Sequence, residues 1–327
     1  GGGDRPRAVA AAFAAVAAAS AAVAAPSLGR RRRSLGRPSP AVRAPPVSGA
    51  STRPAPNPTQ HAFACGDVQF AFVCARLRNM GGGWTDLGVR ADPDNPLALR
   101  EHLATAVALG YATVATDTRV DAGDKAAGRE IARGLDPIDP AALASALADA
   151  SARGARPVLR RLTRLTIRFG EPGELQATLN AHDRLVRAYD ILALEPTTER
   201  ALASACANRR CDVIALALGA RPSFRLRAGA VRAAASNGIA FEVAYVWALM
   251  DTTARRNFFA NAAATVRACG GGGDAGATDG VGGVVVLTGG SRRANEMRAP
   301  LDVVNLATMF GMRDGDARRA MATRCVS

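Results

Sequence analysis

The sequence predicts an α/β protein, a barrel of about seven parallel strands wrapped in helices and preceded by a basic tail. Three observations predict it. From about residue 84, short apolar strands alternate with segments of helical period. No strand-to-helix turn carries the G-x-G-x-x-G that opens a dinucleotide-binding fold. The positive charge is concentrated ahead of this alternation, in a stretch with the composition of a tail.

The 327 residues are 48% hydrophobic and 21% charged, enough to bury the core of one large domain or two ordinary ones and to exclude disorder throughout. Forty-two basic side chains oppose 28 acidic ones for a net charge of +14, and every basic residue but Lys125 is arginine. Arginine suits bidentate phosphate contact, although an Ala-, Arg- and Gly-rich composition equally reflects codon bias. Residues 1–60 carry Arg5, Arg7, Arg30 to Arg33, Arg37, Arg43 and Arg53 against Asp4, which is more than half of the excess. The chain therefore divides into 1–83, a low-complexity Ala/Arg/Pro/Gly-rich tail, and 84–327, the barrel domain, with Gly81 to Gly83 as the last hinge.

Within the tail, Val9 to Ala25 is a run of Ala, Val and Phe with one Ser, too short and too weakly hydrophobic for a membrane span. No membrane partner is expected. The acid-free, Arg-bearing leader fits an organelle transit peptide. The tetrad Arg30 to Arg33 with Arg37 fits a nuclear import signal, and plain low complexity fits both. The expected location is the nucleus, the nucleolus in particular, with an organelle as the alternative. Alternation at Val68, Phe70, Phe72 and Cys74 adds a candidate edge strand.

The first strand is Thr85 to Arg90. Asn95 and Pro96 then supply a cap and a first-turn proline for a helix that shows Leu99, Leu103, Ala106 and Val107 on one face and stops at Gly110. Tyr111 to Asp117 is the second strand, 141–152 a helix, and Leu162 to Phe169 a β-branched third strand. Further strands follow at Asp190 to Glu195, Asp212 to Leu218, Ile239 to Tyr245 and Gly283 to Thr288. Helical patterns cover 198–208, 227–236 and 252–268. Strands separated by helices demand a parallel sheet, because right-handed crossovers place the helices on its outer face. A doubly wound sheet and a barrel both fit this count. The missing phosphate loop favours a TIM-like barrel with one of eight units absent or irregular, and Gly270 to Gly273 follows a helix and reads as a loop.

Five segments, in order, resemble one protein family. They are Arg161 to Ile167, Tyr189 to Glu199, Ile239 to Tyr245, Asp251 to Arg256, and Arg298 to Leu306 with Phe310 and Gly311 following. The family is the thirty-kilodalton protein subunit of ribonuclease P and ribonuclease MRP. The resemblance spans Thr85 to Cys325. It implies a seven-stranded barrel akin to the polymerase and histidinol phosphatase (PHP) superfamily, and an RNA-binding subunit with no catalytic residues of its own. The chemistry then belongs to the particle's catalytic RNA, which removes the 5′ leader from precursor tRNA or processes ribosomal RNA precursors. Other protein subunits, notably a small partner, are implied as well. Two departures stand out: Arg298-Ala299-Pro300 where the family has Arg-Gly-Pro, and Val246-Trp247-Ala248 where it often has Ser-Pro.

The residues agree on what chemistry to expect. His61, His102 and His182 form no local metal pattern, and the six cysteines show no C-x-x-C, so no metal or cofactor site is expected and a reduced intracellular protein is favoured. Asp117 and Glu195 fall at strand C-termini, where barrel active sites are built, and a metal-dependent phosphoesterase using this pair is the alternative function. For RNA the candidates are arginines. Arg164 interrupts a buried strand and must be either a phosphate contact or half of a structural salt bridge. Arg255 and Arg256 open a helix, where cations oppose the macrodipole and seek an anion. Arg292, Arg293 and Arg298 crowd the loop after the last strand, on the face where barrel loops carry function. With only 5% aromatic residues, recognition of folded RNA by shape and backbone is expected. Tyr245 and Trp247, two apart, face one way and pack under a loop or stack on a base.

Overall fold

The computed structural model describes residues 83–90, 95–135, 148, 159–270 and 285–321. The expected tail up to residue 82, the edge strand at 68–74, the 141–152 helix apart from residue 148, and the Gly-rich segment from residue 271 lie outside them.

Seven strands form one sheet in sequence order: β1 (Trp84–Arg90), β2 (Tyr111–Asp121), β3 (Arg160–Phe169), β4 (Ile191–Pro196), β5 (Val213–Ala215), β6 (Ala240–Ala244) and β7 (Val285–Thr288). Every neighbouring pair is parallel. Helices cross over between them: α1 (Pro96–Ala108), α2 (Ala127–Gly134), α3 (Pro172–Ala181), the single turn α4 (Asp183–Val186), α5 (Glu199–Ala207), α6 (Ala228–Ser236), the short α7 (Val246–Leu249) and α8 (Thr252–Ala268). After β7 come a 3-10 turn at Ala294–Glu296, then α9 (Pro300–Met309) and α10 (Asp314–Met321). Side-chain caps fix three of the helix starts. Asn95 accepts from the Ala98 N–H, Thr198 from the Ala201 N–H, and Asp251 from the N–H groups of Thr253 and Ala254. Among the described residues no helix is long and apolar enough to cross a membrane.

A parallel sheet twisted in one direction curls, and here its two edges meet. The seam between β1 and β7 is closed without a ladder. The Arg90 N–H donates to the Ser291 carbonyl at 3.0 Å, and Asp86 Oδ1 accepts from the N–H groups of Gly88 and Gly289, each at 2.9 Å. A side chain at Gly289 would clash with this approach and one at Gly88 would crowd it. A Cβ on Gly88 would stand 3.1 Å from the Gly290 nitrogen, and one on Gly289 would stand 2.5 Å from Asp86 Oδ2. Asp86 is fully buried, and desolvation raises its pKa against the pull of those two N–H groups.

Strand alternation sorts the core into two parts. Outward residues such as Val89, Leu165, Ile167, Leu192, Leu194, Ile214, Phe241 and Leu287 pack against the helices in one large cluster. Inward residues Leu87, Ala115, Leu162, Ile191, Ala193 and Val213 form a separate small cluster that is the floor of the barrel. Cys206, Cys211 and Cys269 are free, buried thiols; burial pushes Cys206 up to about 11 and Cys269 to about 12, so they pack as small apolar groups.

Three sequence expectations change here. β2 runs past Asp117 to Asp121, so Asp117 lies a layer below the barrel mouth and not at the end of its strand. Helices α2, α3 and α4 occupy segments where the sequence pattern names none. In α2 only Ala127 and Ile131 are buried among charged neighbours, too sparse a stripe to stand out. Finally, β5 shortens to Val213–Ala215.

Candidate nucleic-acid interface

Above its apolar floor the barrel interior turns polar, and two strands write this in alternate residues. β2 presents Ala115, Asp117, Arg119 and Asp121 in succession, and β3 presents Leu162, Arg164, Thr166 and Arg168. Parallel pairing puts the two series side by side, with Asp117 opposite Arg164 and Asp121 opposite Arg168.

The middle layer is an ion-pair network. Arg164, completely buried, donates through Nη1 and Nη2 to both carboxylate oxygens of Glu242 on β6, at 2.5 and 2.7 Å. Its Nη1 also donates to the Leu87 carbonyl at 2.8 Å, and its Nε to Thr166 Oγ1 at 3.1 Å while lying 3.4 Å from Asp117. Thr288 Oγ1 donates to Glu242 at 2.7 Å. Burial is the largest influence on both and disfavours each charge, but the surrounding partners together outweigh it: Arg164, Arg119 and Thr288 hold Glu242 below its ordinary value, and Glu242, Asp117 and Asp86 hold Arg164 above its own.

Arg164 thereby corrects the expectation that it contacts RNA. With no exposed surface and its donors committed to Glu242, Leu87 and Thr166, it takes the other role, the structural salt bridge.

One layer higher, Arg119 lies between Asp117 and Glu195, the pair weighed as metal ligands. Its Nε donates to Asp117 at 2.9 Å and its Nη1 to Glu195 at 2.5 Å. A guanidinium thus fills the space between the two carboxylates. Burial opposes the Arg119 charge, yet Asp117 and Glu195 raise its pKa. Among the described residues no three His, Cys, Asp or Glu side chains are grouped to hold a metal ion. His102 is buried in α1, with Nδ1 3.0 Å from the Ala98 carbonyl oxygen, and burial lowers its pKa.

The top layer opens into a cavity of about 360 Å³ at the C-terminal ends of the strands. Arg90, Arg119, Arg168 and Arg292 line it, against the carboxylates of Asp121 and Glu195. Arg119 is already paired, and Arg168 reaches Asp121 only at 3.9 Å, with both side chains mostly exposed. The buried Nε of Arg90 has no hydrogen-bond partner among the described residues. Burial and the like charges of Arg119 and Arg292 lower Arg90 to about 10, so it stays cationic at neutral pH while short of counter-charge. Trp247 completes the wall. A groove of about 630 Å³ leads away past Arg168 and Glu195 to Phe224, Arg221, Arg225 and Arg267.

Of the predicted RNA-binding arginines, only Arg292 lines the mouth. Arg293 and Arg298 are exposed in the same loop, and Arg298 Nη1 donates to the Asn295 and Met297 carbonyls. Arg255 and Arg256 are exposed at the start of α8, outside this cavity; the Arg255 Nε donates to the Ala248 carbonyl of α7 at 2.8 Å. Arg90, Arg119 and Arg168 escape a reading that looks for charge in loops. For Arg119 and Arg168 the signal is the period-two series in β2 and β3, its β2 half hidden when that strand is ended at Asp117; Arg90 closes β1 and belongs to neither series. Tyr245 and Trp247 do not face one way, because the chain turns into α7 at Val246. Tyr245 is buried and accepts from the Arg298 N–H, while Trp247 packs on Gly219, where a Cβ would come within 2.3 Å of the ring.

The family model for RNase P subunit p30 matches residues 83–327, the whole of the barrel. The mouse ribonuclease P protein subunit p30 is 33% identical over 242 residues, 74% of this chain and 83% of its own length. The Saccharomyces cerevisiae ribonuclease P/MRP protein subunit RPP1 is 25% identical over 219 residues, covering 67% of each chain. Among solved structures, a chain of the cryo-EM structure of archaeal ribonuclease P with mature tRNA superposes with a TM-score of 0.47 at 12% identity, covering 72% of this chain and 86% of that one.

Proposed function

The chain belongs to the RNase P subunit p30 family, and on that premise we propose that it is a non-catalytic, RNA-binding protein subunit of a ribonuclease P or MRP particle. The particle's RNA performs the cleavage, removing the 5′ leader of precursor tRNA or cutting ribosomal RNA precursors. The protein supplies a rigid, arginine-bearing face against which that RNA holds its active shape.

The observation that carries this reading is the fate of the mouth's charged groups. The carboxylates a barrel hydrolase would use on a metal are instead held by arginines, Asp117 and Glu195 by Arg119, and Glu242 by Arg164. The remaining guanidinium groups, those of Arg90, Arg168 and Arg292, outnumber the carboxylates left to meet them. Such a mouth suits an anion, and among the described residues its carboxylates are held by arginines and not grouped to hold a metal, which weighs against the phosphoesterase alternative. Exposed Arg255, Arg256, Arg293 and Arg298 extend the basic face. The seven-stranded barrel with acidic residues near its mouth fits kinship with the PHP superfamily. The Arg30 to Arg33 tetrad with Arg37 supports a nuclear, nucleolar location, and a small protein partner completes the particle.

Affinity capture of the tagged full chain from cell extract, with sequencing of bound RNA and a precursor-tRNA assay, tests the reading. Enrichment of a structured RNA with leader cleavage supports a ribonuclease P subunit. The same class of RNA without tRNA cleavage supports MRP, and no enriched RNA overturns the particle reading.

A further inference from the structure

The cavity at the barrel mouth has more structure than a general basic face requires. It is concave, it brings Arg90, Arg168 and Arg292 together from the ends of β1 and β3 and the loop after β7, and an aromatic ring forms part of the same wall. Its volume of about 360 Å³ is at the small end of the range of ligand sites. The Arg90 backbone is fixed by its hydrogen bond to Ser291 across the seam, so that guanidinium starts from a rigid point. Its Nε, buried and without a partner among the described residues, is a donor waiting for an acceptor. Trp247 packs closely on Gly219, where a Cβ would come within 2.3 Å of the ring, and remains partly exposed. Guanidinium groups beside a fixed aromatic ring are the combination that holds an unpaired nucleotide, with charge for the phosphate and a flat face for the base.

Resting on the proposed role in an RNA particle, we propose that the barrel mouth seats one unpaired nucleotide of the bound RNA, its phosphate among Arg90, Arg168 and Arg292 and its base on Trp247. Arg119 takes a secondary part. Its charge is balanced by Asp117 and Glu195, so it shapes the floor of the seat and adds little net attraction. Asp121 on the rim, mostly exposed and only 3.9 Å from Arg168, disfavours additional phosphates.

The chain has two tryptophans, and the other, Trp84, begins β1 at the far end of the barrel. Trp84→Phe in the full-length protein therefore isolates the fluorescence of Trp247. Titration of that variant with UMP and with hexauridylate is expected to quench Trp247, whereas inorganic phosphate displaces the nucleotide without quenching. Adding Arg292→Gln, a change at an exposed side chain, is expected to weaken both nucleotides roughly tenfold and to lower the slope of log affinity against log salt by about 0.7 for hexauridylate, one single-strand phosphate contact. Arg187→Gln, on an exposed side chain before β4 at the opposite end, leaves both unchanged.

Absence of quenching by either nucleotide, or quenching that Arg292→Gln does not weaken, overturns the seat. If the protein captures RNA under those circumstances, the particle reading stands and the seat alone falls. Quenching by UMP without RNA capture keeps the seat, assigns it to a free nucleotide, and overturns the particle reading.

Discussion

Removing Glu242 isolates the largest electrostatic commitment in the fold. Arg164 is completely buried, its two Nη groups bonded to Glu242 at 2.5 and 2.7 Å, and its remaining anion, Asp117, is 3.4 Å away and shared with Arg119. Glu242→Leu therefore leaves a desolvated guanidinium short of its main partner, at an expected cost of about 3–5 kcal/mol. Arg164→Met strands Glu242 with only the Thr288 hydroxyl and is expected to cost about the same. The double substitution removes both charges and replaces them with apolar volume. It leaves the Leu87 carbonyl, Thr166, Thr288 and Asp117 each short of one contact, so it is expected to cost less than either single change, about 3 kcal/mol or below. Urea unfolding of the four full-length proteins measures the cycle. Near the melting temperature the single changes correspond to a fall of very roughly 6–20 °C for a domain of this size. Additive losses, or a Glu242→Leu cost under about 1 kcal/mol, would refute the claim that the pair is a coupled unit supporting the mouth.

Two further outcomes are expected. Asp86 has a folded pKa raised above its unfolded value of 3.8, so its contribution to stability is fully present below that value and is lost as pH rises toward the folded pKa. Asp86→Asn keeps an oxygen for the Gly88 and Gly289 N–H groups without that penalty. Measured against the wild type it should gain relative stability from about pH 4 upward, and a flat difference curve would remove the argument. Arg256→Gln, on an exposed side chain at the start of α8, is expected to leave the melting temperature unchanged and to lower the salt dependence of RNA binding by roughly one phosphate contact, read by fluorescence anisotropy over a salt series.

The order and parallel sense of the strands were legible because each strand has its own apolar run and each sits between helix-period segments. Boundaries were less legible. β2 reads on through Thr118, Arg119 and Val120, where polar residues are tolerated because one face lines a charged interior and not a packed core. The same cause hid the site. Arg119 and Arg168 fall on strands, and a strand residue is read as core until its neighbours across the ladder are known. Arg164 showed both roles in the sequence, and only the arrival of Glu242 from β6, a separation of 78 residues, selects the salt bridge. Trp247 depended on a one-residue matter, whether the chain continues as strand or turns to helix at Val246.

The seam between β1 and β7 has a consequence for how the chain is made. Asp86 and the Gly289 N–H it accepts are 203 residues apart, so the outer edge of β1 goes unmatched until that intervening stretch has been synthesised. A bare edge of that kind invites pairing with another nascent chain. A carboxylate on it is a deterrent, charged while the edge faces water. In the folded barrel the same group is buried, which raises its pKa, and it accepts from the Gly88 and Gly289 N–H groups across the seam. Asp86 thus acts first as a guard on an unfinished sheet and afterwards as its clasp.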